Sequence, residues 1–165
     1  NMEEKVEKNF LDLLEKNQKI IHKICRIYSN EEGYKDLFQE IVIQLWKSYS
    51  SFKGESKFTT WMYSVSLNTA MSLFRKVKKH ETKINIELVQ DKIKHDEIND
   101  DDEIKVKKMY QAIHQLNDVD KALIMMYLDG KDYSEISRIL GITEGNARVK
   151  MNRARNKLKQ LIKNR

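Results

Sequence analysis

The 165-residue chain contains no proline and only five glycines. Proline breaks a helix and glycine weakens one, so their scarcity leaves long stretches of the chain able to form helices. The strict alternation of apolar and polar residues that marks a half-buried strand is also missing. Apolar residues instead recur at helical spacing through most of the sequence. These features together predict an all-α protein.

Residues that carry chemistry are equally scarce. Cys25 is the only cysteine and the four histidines share no metal-binding spacing, which excludes an intramolecular disulfide and gives no metal site. Cys25 lies among isoleucines and is expected to be a buried apolar side chain rather than a reactive thiol. No nucleophile with a base, and no fixed carboxylate cluster, stands on a predicted rigid element. We therefore expect no catalytic residue, no metal ion, no cofactor and no small-molecule substrate.

The chain also has no long apolar run and no secretory signal, so the protein is expected to be cytoplasmic. Charged residues are abundant, and the formal net charge of +6 favours an anionic partner. Nucleic acid is the usual partner of this kind, although a basic balance alone is weak support for it.

The clearest positive signal is residues 145–165, which contain eight cationic side chains and no acidic one. Apolar residues recur there at spacings of four, three, four and three, which places them on one seam of a helix and leaves the rest of its surface basic. The seam consists of Ala147, Met151, Ala154, Leu158 and Leu161.

A shorter predicted helix precedes the basic one. Asp132 followed by Glu135 is the pattern of a capping box at its start, and Gly141 makes a turn at its end. Thr143 then caps the basic helix. A short helix, a glycine turn and a basic helix are typical of a helix-turn-helix, which places its second helix in the major groove of DNA.

Residues 82–102 interrupt the helical pattern, because they are polar, become acidic towards their end and could not bury an apolar face. We expect a flexible acidic linker here, between an N-terminal helical domain at 2–81 and a C-terminal helical domain at 103–165. The predicted helices are one long or broken helix with an apolar face from Phe10 and Leu11 to Ile27, one after Asn30 that carries Leu37 to Trp46, and others at about 57–79, 104–116 and 118–129, besides the helix-turn-helix.

Two stretches resemble a known family in the order and spacing of their motifs. Their residues are 36–40, 51–61, 66–70 and 75–76 in the first, and 133–137, 140–148 and 152–155 in the second. The first stretch, with the sequences DLFQE and SFKGESKFTTW, resembles conserved region 2 of the sigma factors of RNA polymerase. The second, with YSEIS and LGITEGNAR, resembles region 4. Together they are similar to the small two-domain sigma factors of the extracytoplasmic-function type.

The resemblance implies a promoter-specificity subunit. Sigma factors of this type bind core RNA polymerase, recognise promoter elements near −35 and −10, and help to melt the −10 element without being enzymes. The implied partners are the β′ clamp and β flap of core RNA polymerase, promoter DNA and an anti-sigma factor. Asp36, Gln39 and Glu40 correspond to residues that face the coiled coil of the β′ clamp, although such a group by itself fits a solvated face equally well.

The resemblance assigns the loop at residues 50–57 to recognition of the −10 element. Phe52 and Asn68 correspond to residues of a pocket for a flipped base, and an aromatic face with an amide suits that task. The alternatives are a core plug for Phe52 and a helix-surface residue for Asn68. Trp61 is expected to pack in the core rather than to separate DNA strands. Contacts to phosphates of the −10 strands are expected from Lys53, Arg75, Lys76 and Lys79.

For the basic helix, the resemblance implies contacts to the −35 element. Arginine and lysine can donate to guanine, asparagine can pair with adenine, and valine can contact a thymine methyl group. The first helical turn offers backbone amides to a phosphate. The candidate residues are Thr143, Arg148, Val149, Lys150, Asn152 and Arg153. The acidic end of the linker, residues 100–103, is expected either to mimic RNA in the exit path of the polymerase or to act as a simple tether.

Two other functions fit parts of the sequence. A plain DNA-binding regulator would explain the helix-turn-helix but not the loop and basic helix of the N-terminal half. A nucleic-acid enzyme, such as a small recombinase or nuclease, would need a nucleophile or a carboxylate cluster that the sequence does not offer. Tight binding to duplex DNA without polymerase would favour the first, and metal-dependent DNA cleavage would favour the second.

Overall fold

Helices account for nearly all of the residues that the computed structural model describes, which are 1–81 and 101–164, without the side chains of 79–81. Within these ranges there are seven α-helices and no strand, so the all-α prediction is confirmed. The helices are α1 Met2–Tyr28, α2 Glu31–Tyr49, α3 Phe58–Glu81, α4 Asp101–His114, α5 Asp118–Leu128, α6 Tyr133–Leu140 and α7 Glu144–Lys163. The first three form the N-terminal domain and the last four the C-terminal domain.

Side-chain caps fix the starts of four helices. Asn30, Asn117 and Asp132 each accept a hydrogen bond of 2.8 Å from the backbone N–H three residues further on. Thr143 accepts one of 3.1 Å in the same way at the start of α7. Each bond satisfies an amide that has no partner inside its helix. The caps predicted at Asn30, Asp132 and Thr143 are therefore confirmed.

The core of the N-terminal domain lies where α1, α2 and α3 meet. Ile24, Ile41 and Met62, one from each helix, are fully buried there. Cys25 is also buried, as expected, and desolvation raises the pKa of its thiol to about 12. A thiol with so high a pKa is not ionised at neutral pH and is inert as a nucleophile.

Two residues predicted on apolar faces of this domain, Leu11 and Trp46, are substantially exposed. Phe10 packs its ring against Trp46 and Tyr49, with centroids 5.0 and 5.1 Å away. Leu11 is 52% exposed, because the next position on a helix is rotated by about 100° and points away from these rings. Trp46 contacts Phe10 on the rim of the domain and remains 45% exposed.

The C-terminal domain packs α7 against the three helices before it. Ala147, Met151 and Ala154 are buried, and Leu158 and Leu161 are half-buried against the same core, so the predicted seam is confirmed. Helix α4 begins at Asp101, two residues before the expected start of the C-terminal domain at residue 103. The acidic side chains of this first turn are favoured by the helix dipole, which explains the earlier start. The rest of the predicted linker, residues 82–100, lies outside the described residues.

The two domains pack against each other. Helices α1 and α3 contact α4, α5 and α6, and the buried apolar residues of both domains form one continuous core. In the described part of the chain, no helix combines the length and the apolar character needed to cross a membrane.

Candidate nucleic-acid interface

The helix-turn-helix consists of α6, a tight turn and α7. Gly141 ends α6 with φ 66° and ψ 35°, in the left-handed region that glycine adopts without strain. The hydroxyl of Ser137 donates a hydrogen bond of 2.5 Å to the carbonyl of Ile142 and closes the turn. These short-range bonds fix how α7 projects from the domain.

One side of α7 is open to solvent and carries most of the predicted −35 residues. Arg148, Asn152 and Arg153 are exposed, and the apolar Val149 is 50% exposed among them. Lys150 is half-buried because it lies closer to the packed side of the helix. The exposed side thus combines donors for guanine, an amide for adenine and a methyl-contacting surface. The hydroxyl of Thr143 is used as the helix cap.

Several basic residues of α7 are held in place by neighbours within the C-terminal domain. The guanidinium of Arg148 lies over the ring of Tyr133 at 4.5 Å, and that of Arg155 over Tyr127 at 4.5 Å. Such stacking restricts an arginine while its N–H groups still point outward. Lys157 forms an ion pair of 3.2 Å with Asp120.

The loop at residues 50–57 rests on an aromatic cluster. Phe52 is half-buried, with its ring centroid 5.2 Å from Trp61 and 5.8 Å from Phe58. Trp61 also contacts Tyr49 at 6.2 Å and packs against the core, as predicted. The ring of Phe52 therefore has structural neighbours, but part of it faces solvent.

Asn68 is exposed on α3, two helical turns after Trp61. Seven residues of helix span about 10 Å and return to the same face, so Asn68 lies on the side of α3 that the aromatic cluster occupies. Lys53 and Lys76 are exposed. The side chain of Lys79 lies outside the described residues.

Arg75, a predicted phosphate contact, is engaged within the protein. Its Nε lies 2.5 Å from Oδ2 of Asp118, at the start of α5 in the other domain. The arginine side chain remains 64% exposed, whereas that of Asp118 is only 17% exposed. The structure therefore assigns Arg75 a partner that the sequence did not indicate.

Helix α2 presents a mixed surface on its outer side. Asp36 and Gln39 are exposed, and half-buried Glu40 accepts a hydrogen bond of 2.9 Å from Gln44. Ile43 follows on the same face and is 44% exposed. An apolar side chain beside carboxylates and an amide is suited to a protein partner as well as to solvent.

Polar residues between the domains were missed by the sequence reasoning. Thr60 donates a hydrogen bond of 3.0 Å to Glu135, and the hydroxyl of Tyr63 donates one to Asp129. Lys121 is fully buried at this junction, and desolvation lowers the pKa of its ammonium group to about 7. A lysine directly before the apolar run 122–126 of α5 was the one available signal in the sequence.

Comparison with known proteins accounts for both domains. Residues 13–80 match the family Sigma-70 region 2, and residues 107–158 match Sigma-70, region 4. The ECF RNA polymerase sigma-E factor of Haemophilus influenzae is 26% identical, over 94% of this chain and 88% of the relative. The ECF RNA polymerase sigma factor SigW of Bacillus subtilis is 25% identical, over 93% and 89%. The chain is an extracytoplasmic-function sigma factor of the sigma-70 family.

Two solved structures share its fold. RpoE of Bartonella quintana, in complex with the anti-sigma factor NepR, superposes with a TM-score of 0.70 at 20% identity, over 94% of this chain and 98% of RpoE. CnrH, in complex with the cytosolic domain of CnrY, gives a TM-score of 0.67 at 16% identity, over 95% and 89%. Sigma factors are non-catalytic subunits of RNA polymerase that serve promoter recognition and transcription initiation. The family therefore overturns the two rival functions, a plain regulator and a nucleic-acid enzyme.

Proposed function

We propose that this sigma factor reads its promoter through two separate surfaces. The exposed side of α7 reads the −35 element, and the loop at 50–57 with the exposed side of α3 reads and helps to open the −10 element. The observation that carries the proposal is the side of α7, which presents Arg148, Val149, Asn152 and Arg153 to solvent from a capped helix of a helix-turn-helix. A recognition helix of this kind fits the major groove.

At the −35 element, the arginines and the two uncharged side chains have different tasks. Arg148 and Arg153 donate to guanine edges, which are the commonest specific contacts in the major groove. Asn152 pairs with an adenine, and Val149 contacts a thymine methyl group. Lys150 and Thr143, at the edge of this side and at the helix start, contact phosphates together with the first-turn amides.

At the −10 element, an extruded base stacks on Phe52 and bonds to Asn68. Extrusion costs a few kcal/mol of lost stacking, and an aromatic face with an amide recovers part of it. The half-buried ring of Phe52 is already oriented by Phe58 and Trp61, so little ordering is needed on binding. Lys53, Arg75, Lys76 and Lys79 hold the phosphates of the melted strands.

Protein partners use other surfaces. Asp36, Gln39 and Glu40, with exposed Ile43, contact the β′ clamp, and the C-terminal domain contacts the β flap. One solved neighbour, RpoE, is a sigma factor bound to an anti-sigma factor, and the other, CnrH, is bound to the cytosolic domain of CnrY. An anti-sigma factor is proposed as a partner of this chain as well. With these partners, we propose that the protein acts in the cytoplasm. The acidic residues 100–103 serve as the RNA-mimicking end of the linker or as a tether.

Run-off transcription with bacterial core polymerase and a promoter library tests the two-surface proposal. Sequencing the templates that are transcribed should reveal two short conserved elements at a fixed spacing. Enrichment of a single element, or of two elements at variable spacing, would contradict simultaneous reading by two domains that the polymerase holds at a fixed distance. Asp36→Ala should reduce transcription from all templates alike, because it weakens polymerase binding rather than sequence recognition.

A further inference from the structure

Three acidic residues of the C-terminal domain point at the N-terminal domain, and we call them the acidic latch: Asp118, Asp129 and Glu135. Asp118 pairs with Arg75 of α3, as described above. Asp129 accepts a hydrogen bond of 2.7 Å from Lys23 of α1 and another from the hydroxyl of Tyr63. Each latch residue is therefore bonded to the opposite domain.

The latch residues are largely withdrawn from water. The side chains of Asp118 and Asp129 are 17% exposed and that of Glu135 is 25% exposed. Carboxylates lose solvation when they are covered in this way, and they are stable there only while paired. The partners supplied by α1 and α3 provide that pairing, so the latch fits the closed arrangement of the two domains.

The carboxylate of Glu135 bonds to the other domain instead of to the start of its own helix. The sequence places it in a capping box, where its side chain would turn back to the start of α6. It instead accepts hydrogen bonds from Thr60 of α3, at 3.0 Å, and from Lys131, at 3.4 Å. Asp132 still caps α6, so the helix does not need Glu135, whose carboxylate joins the domains.

Further contacts surround the latch. The hydroxyl of Tyr28 donates a hydrogen bond of 2.6 Å to the carbonyl of Asp118. The guanidinium of Arg26 lies 3.7 Å from the ring centroid of Tyr110, across the same junction. Lys131, just before the helix-turn-helix, lies over the ring of Tyr63 at 4.8 Å. Both domains thus contribute cations to the junction.

We propose that the free chain holds itself closed through the acidic latch, and that this closure competes with DNA for cations of both domains. Arg75 borders the −10 surface, and Lys131 precedes α6, the helix that crosses the DNA backbone in a helix-turn-helix. In the closed chain, Arg75 is paired with a carboxylate of the other domain. Lys131 pairs with Glu135 inside its own domain and is stacked on Tyr63 of the other domain. Phosphates need the same groups. The competition, unlike the closure, rests on the proposed function.

Energy transfer between two dyes tests the closure without DNA. Glu15→Cys on α1 and Gln160→Cys on α7 are exposed labelling positions, while native Cys25 is buried and stays unlabelled. The doubly labelled chain with an unchanged latch should give high energy transfer at low salt, and lower transfer as added salt screens the ion pairs. Low transfer in the wild-type latch at low salt would overturn the proposal.

Latch variants then test the residues. Asp118→Asn with Asp129→Asn should lower the transfer by at least half, whereas Asp101→Asn with Glu103→Gln, exposed residues at the start of α4, should leave it unchanged. The two pairs remove the same charge from the same domain. Equal transfer in both double variants would overturn the role of the latch.

A charge exchange distinguishes opening from a folding defect. Arg75→Asp alone and Asp118→Arg alone should each open the chain, and the two changes together should restore high transfer. Failure of the exchanged pair to restore it, while helix content by circular dichroism is that of the wild type, would overturn the Arg75–Asp118 contact as a latch.

A short fluorescein-labelled duplex of random sequence tests the competition. The Asp118→Asn/Asp129→Asn variant should bind it roughly 10-fold more tightly than the Asp101→Asn/Glu103→Gln control, because opening frees Arg75 from Asp118 and Lys131 from the ring of Tyr63. An open variant with the affinity of the control would overturn the competition. Since the probe contains no promoter, the result is independent of whether the −35 and −10 assignments hold.

Discussion

The two candidate DNA surfaces of this sigma factor are built in different ways. On the C-terminal side, α7 presents its side chains from a single capped helix, and Arg148 is oriented by a ring of its own domain. On the N-terminal side, the surface joins a loop to a helix, and its cation Arg75 is bonded to the other domain. The first candidate surface is preorganised within its own domain, whereas the second depends on how the domains are arranged.

This difference suits the two tasks. A −35 element stays double-stranded, so a rigid helix that fits a groove of constant shape loses little freedom on binding. A −10 element changes shape as it melts, and the protein surface there has to admit a base that leaves the stack. The dependence of Arg75 on the domain arrangement would link that step to opening of the chain.

The largest expected effect follows from removing the two arginines of α7 that are proposed to read the major groove. Arg148→Ala with Arg153→Ala should lower transcription from a promoter with both elements by roughly 100-fold, since each bidentate contact contributes about 1–3 kcal/mol. Run-off assays with reconstituted holoenzyme measure this. Lys105→Ala with Lys107→Ala, an equal loss of charge on exposed positions of α4, is the matched control. A comparable loss of transcription in that control would show that the effect comes from the lost positive charge and not from base contacts of α7.

The second effect concerns the buried cation at the junction. The Nζ of Lys121 donates to the carbonyl of Ile113 on α4, at 2.8 Å, and lies over the ring of Phe74 on α3. Burial, with a contribution from the charge of Lys78 on α3, lowers its pKa to about 7. The nearby His114 on α4 has a lowered pKa through its own desolvation and the charge of Lys121.

The sign of the pH dependence follows from these shifts. Between about pH 7 and the ordinary range of a lysine, the folded chain binds fewer protons than the unfolded chain, so the free energy of unfolding rises with pH. Lys121→Met should remove this rise and stabilise the protein by about 2 kcal/mol near pH 6. Urea unfolding at several pH values measures it. An unchanged slope in the variant would show that Lys121 is charged and solvated in the folded chain.

A substitution at Phe52 tests the proposed −10 surface of the N-terminal domain. Phe52→Ala should slow promoter opening by about 10-fold, because a stacked base contributes on the order of 1–3 kcal/mol. Phe52→Leu keeps an apolar side chain against Trp61 but loses the stacking face. If Phe52 is only a core plug, the leucine variant should open promoters as fast as the wild type. Fluorescence of 2-aminopurine in the −10 element reports the opening rate.

The smallest effect tests the core under the N-terminal surface. Ser66 on α3 is fully buried, and within the described residues its hydroxyl has no hydrogen-bond partner. Ser66→Ala removes this unsatisfied group and should raise the free energy of unfolding by up to about 1 kcal/mol, without changing promoter choice. A loss of stability in urea unfolding would show that the hydroxyl is satisfied in solution.

Local features of the sequence were sufficient for the C-terminal surface. The caps at Asp132 and Thr143 and the turn at Gly141 are set by residues a few positions apart, and the seam of α7 follows from periodicity alone. In the N-terminal domain, the same reasoning placed Leu11 and Trp46 on packed faces, because periodicity gives the face of a helix but not the extent of its neighbours.

Contacts between distant residues could not be predicted in this way. Thr60 and Glu135 lie 75 positions apart, and each has an ordinary local alternative, in solvent or in a capping box. Arg75 likewise fits a phosphate contact by its position beside the −10 surface. Its pairing with Asp118 depends on how the two domains pack, which neither helical spacing nor a family motif encodes.

The most direct test of two-surface reading is a transcription assay on four promoters, with the −35 element intact or scrambled and the −10 element intact or scrambled. Wild-type holoenzyme should lose activity when either element is scrambled. Holoenzyme with Arg148→Ala and Arg153→Ala should be much less sensitive to the −35 sequence than the wild type and remain fully sensitive to the −10 sequence. If scrambling the −35 element lowers the activity of this variant by the same factor as that of the wild type, α7 does not read that element.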